Sequence, residues 1–152
     1  MTDKSEMQVK AIKNGTVIDH IPSDKLFQVV TILGLDSIEN EITIGNHLSS
    51  HQMGTKGIIK ISDCYFEKDV LNRIALVAPR AKINIIRNYD VVEKIVLEIP
   101  DEIHGLVRCV NPKCITNNEP MEAHYTVVAR NPLTLKCRYC EREMAASEMK
   151  LI

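Results

Sequence analysis

Cys109-Val110-Asn111-Pro112-Lys113-Cys114 and, after a gap of twenty-two residues, Cys137-Arg138-Tyr139-Cys140 decide how the last third of this 152-residue chain folds. Two short thiolate hairpins held apart by one small-domain length of chain have the spacing of a closed tetrahedral zinc site. A segment of roughly fifty residues buries too little apolar surface to fold alone, and a metal is a usual remedy. A structural zinc supplies on the order of 10 kcal/mol of apparent binding energy, which becomes folding energy because the unfolded chain holds no preformed site.

Other uses of these cysteines fit less well. Paired disulfides suit a secreted protein, whereas Met1 to Ala11 is mostly polar and carries no apolar signal segment. A thioredoxin-like role for Cys137 and Cys140 leaves Cys109 and Cys114 unexplained. An iron centre of rubredoxin type takes the same four thiolates, and spacing does not separate it from zinc. His104 and His124 lie near enough in sequence to replace a cysteine, but four thiolates are already present. Zinc held by Cys109, Cys114, Cys137 and Cys140 is the expectation. Cys64 stands apart and reads as a small buried hydrophobe.

Upstream, Leu97-Glu98-Ile99-Pro100-Asp101-Glu102 reads as a boundary, giving domains 1–100 and 101–152. Before it, Met7–Ile12 and Thr16–Ile21 read as strands joined through Asn14-Gly15, a hairpin signal. Ser23 or Asp24 is placed to cap a helix with Leu26, Val29, Val30 and Leu33 inward and Gly34 as its stop. Glu41–Gly45 and Gly57–Ser62 read as strands around a Gly/Ser/His-containing loop, 46–56. A second helix runs from about Glu67 to Val77, with Val70, Leu71, Ile74 and Ala75 inward and Pro79 beyond it. Lys82–Arg87 and Tyr89–Val96 return to strand.

The order βαββαβ, with an added strand at each end, predicts an α+β fold. It is a ferredoxin-like antiparallel sheet with two helices on one face. A small all-β zinc-binding domain follows it, with short strands at Ile103–Arg108, Tyr125–Ala129 and Leu133–Cys137. Aromatic residues are only 4% of the chain and tryptophan is absent, so the core must be aliphatic. No apolar run approaches a membrane span, and five cysteines without a targeting segment point to the cytoplasm.

Charge narrows the function. Residues 1–100 carry 12 Lys and Arg against 13 Asp and Glu, and residues 101–152 carry 7 against 7. A zinc ribbon that binds nucleic acid presents an excess of cations to phosphate, and this one does not. Arg108, Lys113, Lys136 and Arg138 flank the cysteines and offset the charge of the metal thiolate centre. A freestanding enzyme using Cys64 or His20 lacks base-and-nucleophile spacing, and no P-loop, G-x-S-x-G or H-E-x-x-H occurs. An amino-acid-sensing domain shares the expected fold but gives no reason for the cations placed among apolar strand residues. Those cations are His20, Lys60 and Lys94. If their strands adjoin, they can converge on a polyphosphate while Asp19 accepts from ribose hydroxyls; separately, each reads as an ordinary exposed polar residue.

The stretch Gln8-Val9-Lys10-Ala11-Ile12-Lys13-Asn14-Gly15-Thr16-Val17-Ile18-Asp19-His20-Ile21-Pro22 resembles the opening of the aspartate carbamoyltransferase regulatory-chain family. So do Ile42-Thr43-Ile44-Gly45, Met53-Gly54-x-Lys56, Ile59-Lys60-Ile61, Ala78-Pro79-x-Ala81 and Asn88-Tyr89-x-Val91-Val92-x-Lys94. In the last third, Val107-x-Cys109-x-Asn111 with Cys114-Ile115, and Leu135-Lys136-Cys137-x-Tyr139-Cys140-Glu141, match its zinc domain. The similarity runs nearly end to end.

The resemblance implies a non-catalytic subunit with a single structural zinc per chain. Its first domain would bind CTP, ATP or UTP and pair with a second regulatory chain. Its zinc domain would dock on a separate catalytic chain of pyrimidine biosynthesis, in an assembly of six catalytic and six regulatory chains. Nucleic acid and membrane are not among its partners. By resemblance, the base would lie near Val9, Ala11, Ile12, Tyr89 and Val91, with backbone groups of Ala11, Ile12 and Tyr89 reading it. Asp19 and Lys60 would reach ribose and base, Val17 and Asn84 would line the site, and His20 and Lys94 would hold phosphates with Lys56 nearby. Two departures from the family pattern fall in this region: Lys10 stands at a usually acidic position, and Ile95-Val96 follow Lys94 where a further basic residue is usual.

Overall fold

Isoleucine is the commonest residue of the first core. In the computed structural model, which describes residues 11–151, Ile18, Ile21, Ile59, Ile61, Ile74 and Ile83 are all at most 1% exposed. The chain divides into two compact units, Met1–Glu98 and Ile99–Ile152.

The first unit contains β1 (Gly15–Ile21), α1 (Leu26–Leu33), β2 (Ile42–Ser50), β3 (Gly54–Ser62), α2 (Lys68–Arg73), β4 (Lys82–Arg87) and β5 (Asp90–Ile95). Its sheet runs β2-β3-β1-β4-β5, and every pairing is antiparallel. This is the expected ferredoxin-like order with one strand added beyond β4. Leu26, Val29 and Leu33 of α1, and Leu71 of α2 with Ile74 after it, pack with Ile18, Ile59, Ile61 and Ile83. Both helices therefore cover one face of the sheet. Burying each such aliphatic side chain contributes about 1.5–3 kcal/mol. Gly34 ends α1 in the left-handed conformation, φ 63°, as its position predicts. The N-terminal cap position is Lys25, without a side-chain cap, because the Ser23 hydroxyl is engaged with Thr55 Oγ1 at 3.0 Å.

Local turn chemistry misleads at two places. An Asn14-Gly15 hairpin does not form, because β1 is hydrogen-bonded on one edge to β3 and on the other to β4. Residues 7–10 of the expected first strand lie outside the described residues, and Ala11 and Ile12 are not in a strand. Asn14 instead ties neighbouring segments: its carbonyl accepts from Asp63 N–H at 2.9 Å and its Oδ1 from Asn88 N–H at 3.1 Å. The segment 46–56 is mostly strand rather than loop, forming the outer part of the β2–β3 hairpin. It bulges between Gly45 and Leu48, where His47 takes φ 56°.

In the second unit, β6 (Glu102–His104), β8 (His124–Arg130), β9 (Leu133–Cys137) and β10 (Glu143–Ala145) form a sheet in the order β10-β9-β8-β6. β7 (Val107–Arg108) pairs with β11 (Lys150–Leu151), and α3 (Ile115–Asn118) is a single helical turn. The expected strand Ile103–Arg108 is broken because Gly105 and Leu106 both take φ 67°, sending its halves to different partners. Tyr125 is fully buried and donates its hydroxyl to Val107 O at 3.0 Å. Cys64, in the first unit, packs half-buried against the main core as expected, and its carbonyl accepts from Thr16 Oγ1 at 2.7 Å.

Gly15 has φ 140°, and a Cβ there would lie 2.0 Å from Ile61 O. Both objections are backbone objections at the start of the central strand. Gly15→Ala should cost about 3 kcal/mol or more of stability, a loss of the kind that strain at a special φ produces. Urea unfolding of the two proteins measures it; an unchanged midpoint would mean that β1 starts elsewhere.

Candidate functional site

The four cysteines meet. Cys109 and Cys114 flank the loop after β7, and Cys137 and Cys140 span the turn after β9. Their sulfurs all lie within 4.8 Å of one another, with Cys109 Sγ 3.7 Å from Cys140 Sγ and Cys114 Sγ 3.7 Å from Cys137 Sγ. A tetrahedral ion with metal–sulfur bonds of about 2.3 Å sets its sulfurs about 3.8 Å apart. A disulfide needs about 2.05 Å. The donor set fits a metal and not disulfides.

Amides and hydroxyls shape this knot. Asn117 Nδ2 donates to the carbonyls of Cys109 at 3.0 Å and Asn111 at 2.8 Å, and Asn118 Nδ2 donates to the carbonyl of Cys114 at 2.9 Å. Thr116 Oγ1 approaches Cys114 Sγ at 3.2 Å. Burial pushes the Cys109 thiol up to about 12, offset in part by the Asn111 amide. Burial raises Cys137 too. Cys140 moves down to about 7: burial opposes this, and the Arg142 amide and the Asn111 side chain outweigh it. Binding a divalent cation is what would bring the raised Cys109 and Cys137 thiols to ionise.

The second constellation lies on the sheet face that carries no helix. Register aligns Lys60 of β3, Val17 of β1, Asn84 of β4 and Lys94 of β5 in one cross-strand row. Ile12 packs with Val17, Ile58 and Ile86 in a small cluster separate from the main core. Two residues from Val17, Asp19 is opposite Lys82 and so shares its face. A bulge at the end of β1, with His20 at φ 57°, lets Ile18 and Ile21 both reach the core while Asp19 and His20 stay out of it.

Asp19 organises the cations. Lys56 Nζ lies 2.9 Å from Asp19 Oδ1 and 3.2 Å from Oδ2, and His20 Nδ1 is 3.5 Å from Oδ1. Burial lowers the His20 pKa; Asp19 resists this, and Lys56 and Lys82 add to the fall. Burial lowers Lys60 also, against the pull of Asp19. His20 Nδ1 is buried without a hydrogen-bond partner. Lys82, Asn84, Val91 and Lys94 border an open groove of about 510 Å³ that they share with Pro79–Ala81 and Ile95–Leu97, and Asp19, His20, Lys56 and Lys60 are not among its walls.

Several expected contacts are differently placed. Val9 lies outside the described residues, and Ala11 is exposed. Tyr89 sits with Asn88 in the turn between β4 and β5, both at positive φ as a type I′ hairpin requires. Its N–H is already donated to Lys13 O at 2.9 Å, which leaves that amide no hydrogen for a base. Lys82 was absent from the residues expected here. Its only sequence signal is an even spacing from Asn84 along β4, which shows nothing until the pairing with β1 is known.

The family model for the aspartate carbamoyltransferase regulatory chain, allosteric domain, matches residues 7–98, and that for its metal binding domain matches residues 101–150. The aspartate carbamoyltransferase regulatory chain of Porphyromonas gingivalis is 57% identical over 149 residues, 98% of this chain and 99% of its own. That of Bacteroides thetaiotaomicron is 53% identical over 150 residues, covering 99% and 98%. That of Pyrococcus horikoshii is 45% identical over 146 residues, covering 95% and 96%.

Stripping the metal with a strong chelator should unfold Ile99–Ile152 while the β1–β5 sheet persists, since on the order of 10 kcal/mol of metal binding is withdrawn from one unit only. Hydrogen exchange reads each unit separately. Continued protection of β8 and β9 after complete metal loss would show that packing around Tyr125 suffices.

Proposed function

The chain belongs to the aspartate carbamoyltransferase regulatory-chain family, and from that premise we propose that its helix-free sheet face binds CTP, ATP and UTP as allosteric effectors. It is a regulatory subunit and not an enzyme; the chemistry belongs to a separate catalytic chain. The observation that carries the nucleotide reading is the row Lys60–Val17–Asn84–Lys94 beside the Asp19 cation cluster.

That row suits a ligand with an apolar ring at one end and anionic oxygens along the rest. Ile12, Val17 and Val91 supply apolar surface for a base, with Ala11 and Tyr89 beside it; the expected contact of Val9 lies outside the described residues. Asp19 and Lys60 meet sugar and base, Asn84 lines the middle, and Lys94, His20 and Lys56 take phosphate oxygens. Lys82 joins them. An orphaned buried ring nitrogen costs about 1–3 kcal/mol, so a phosphate oxygen that accepts from His20 recovers that loss. Charge-assisted contacts from the lysines add to it.

The metal is zinc and its role is structural. Four thiolates, three of them buried, leave no open position at which a substrate would enter. The zinc unit, residues 101–152, shapes the loops that grip the catalytic chain. Residues 1–100 pair with a second regulatory chain, and six of each chain make the whole assembly. The reduced thiolates fit a cytoplasmic setting, and among the described residues no helix is long and apolar enough to cross a membrane. Control follows from differential binding: the nucleotide favours one quaternary state with a coupling of about 1–3 kcal/mol, and substrates on the catalytic chain shift nucleotide affinity by the same factor.

Mixing this chain with catalytic trimers tests both halves of the reading. Assembly should require zinc, and Lys94→Ala should weaken nucleotide binding by about tenfold, or about 1.4 kcal/mol, without weakening assembly. Zinc-free assembly at full affinity overturns the structural role of the metal, and loss of assembly in Lys94→Ala moves that lysine out of the groove.

The proton linkage has a definite sign. Burial holds the pKa of the folded, ligand-free His20 below the ordinary histidine value, which favours the neutral imidazole. A bound phosphate favours the imidazolium and raises that pKa, so binding takes up a proton. Triphosphate affinity should therefore rise as pH falls from about 7.5 towards about 6, and His20→Asn should flatten the profile. Calorimetry in buffers of different ionisation enthalpy counts the protons; none taken up would remove His20 from phosphate contact.

A further inference from the structure

We infer that His104, His124 and Glu102 form a second metal site on the β6–β8 strand pair, for a divalent transition-metal cation. His104 and His124 stand opposite each other in register, with ring centroids 4.0 Å apart. Glu102 precedes His104 by two residues and shares its face. Glu102 Oε2 is 3.5 Å from His124 Nε2 and 4.0 Å from His104 Nε2, and one ligand atom from each residue lies within 4.8 Å of the others.

The surroundings are those of a ligand set rather than of scattered surface charge. The other oxygen of Glu102, Oε1, is held by Arg138 Nη1 at 3.3 Å, which turns Oε2 towards the imidazoles. The other nitrogen of His104, Nδ1, is 3.6 Å from Glu122 Oε1. A carboxylate behind a metal-binding imidazole fixes its ring and raises its basicity. His124 Nε2 is buried and has no hydrogen-bond partner, although Glu102 is close, because the geometry is wrong for a hydrogen bond. A cation between the three atoms gives that nitrogen a partner.

Bonds of about 2.0–2.2 Å set neighbouring ligands roughly 3 Å apart, so the cluster closes by small side-chain rotations on strands that already fix its backbone. Two imidazoles and one carboxylate select zinc, nickel or copper over magnesium or calcium. The remaining coordination positions face solvent, since Glu102 and His104 are about half exposed. No cysteine takes part, so this site is independent of the thiolate centre.

The test is equilibrium dialysis of the full chain, its thiolate centre already loaded, against Ni²⁺. A single additional equivalent should bind, and excess Mg²⁺ should not displace it. His104→Ala and Glu102→Gln, both at half-exposed positions, should each weaken uptake by about tenfold or more, while His51→Ala leaves it unchanged. Metal content of the thiolate centre and the melting curve verify that these variants fold. Absence of the additional equivalent, or its survival at full affinity in both His104→Ala and Glu102→Gln, overturns the site.

Discussion

The first unit depends on β1 being hydrogen-bonded along both edges. A strand with no free edge has only its two faces left to use, and here they do opposite work. Ile18 and Ile21 turn towards α1 and α2 and hold the domain together. Val17 and Asp19 turn the other way, and each strand paired to β1 brings its own polar residue to the same side. Lys60 and Asn84 face Val17 from either flank, and Lys82 faces Asp19. The groove is thus a by-product of strand alternation: once the isoleucines are buried, the cations have nowhere else to be.

The second unit answers a different problem. It has few large buried side chains, namely Ile103, Val107, Tyr125, Leu135 and Met144, and its strands are short. The thiolates compensate by tying the loop after β7 to the turn after β9. Asparagines 111, 117 and 118 add side-chain hydrogen bonds to the turn bonds that the loop backbone makes with itself. Three buried thiols converging with a fourth within 4.8 Å suit a shared cation better than separate packing roles.

Much of this was legible in the residues. Helical spacing located α1 and α2, whose buried positions Leu26, Val29, Leu33 and Leu71 are all aliphatic, and runs rich in Ile, Val and Leu located β1, β4, β5 and β9, although β5 buries none of its residues. The cysteine spacing alone predicted the metal knot. What was not legible depends on partners far away in sequence. Asn14-Gly15 is a strong local hairpin signal, but both edges of β1 are claimed by strands far along the chain, Gly15 facing Ser62 on one side and Ile86 on the other. The composition of 46–56 suggests a loop, yet those residues extend an edge hairpin whose polar side chains need no burial. For the groove, His20, Lys60 and Lys94 stand out as cations in apolar strands, and the resemblance supplied the remaining positions. The role of Asp19 as the common neighbour of Lys56 and His20 appears only in three dimensions, as does Lys82. His104 and His124 read as spare metal ligands near the cysteines, and the fold sets them against each other instead.

The Asp19–Lys56 ion pair carries a consequence for selectivity. Before any effector arrives, one carboxylate already restrains a crowd of ammonium groups that would otherwise repel one another. An incoming anion must loosen this existing attachment, so feebly charged competitors gain little, whereas a polyanion offers more than it displaces. For a ligand of the proposed kind, this internal counterion would set a threshold on valence, fixing how much negative charge a visitor must bring before it is worth admitting.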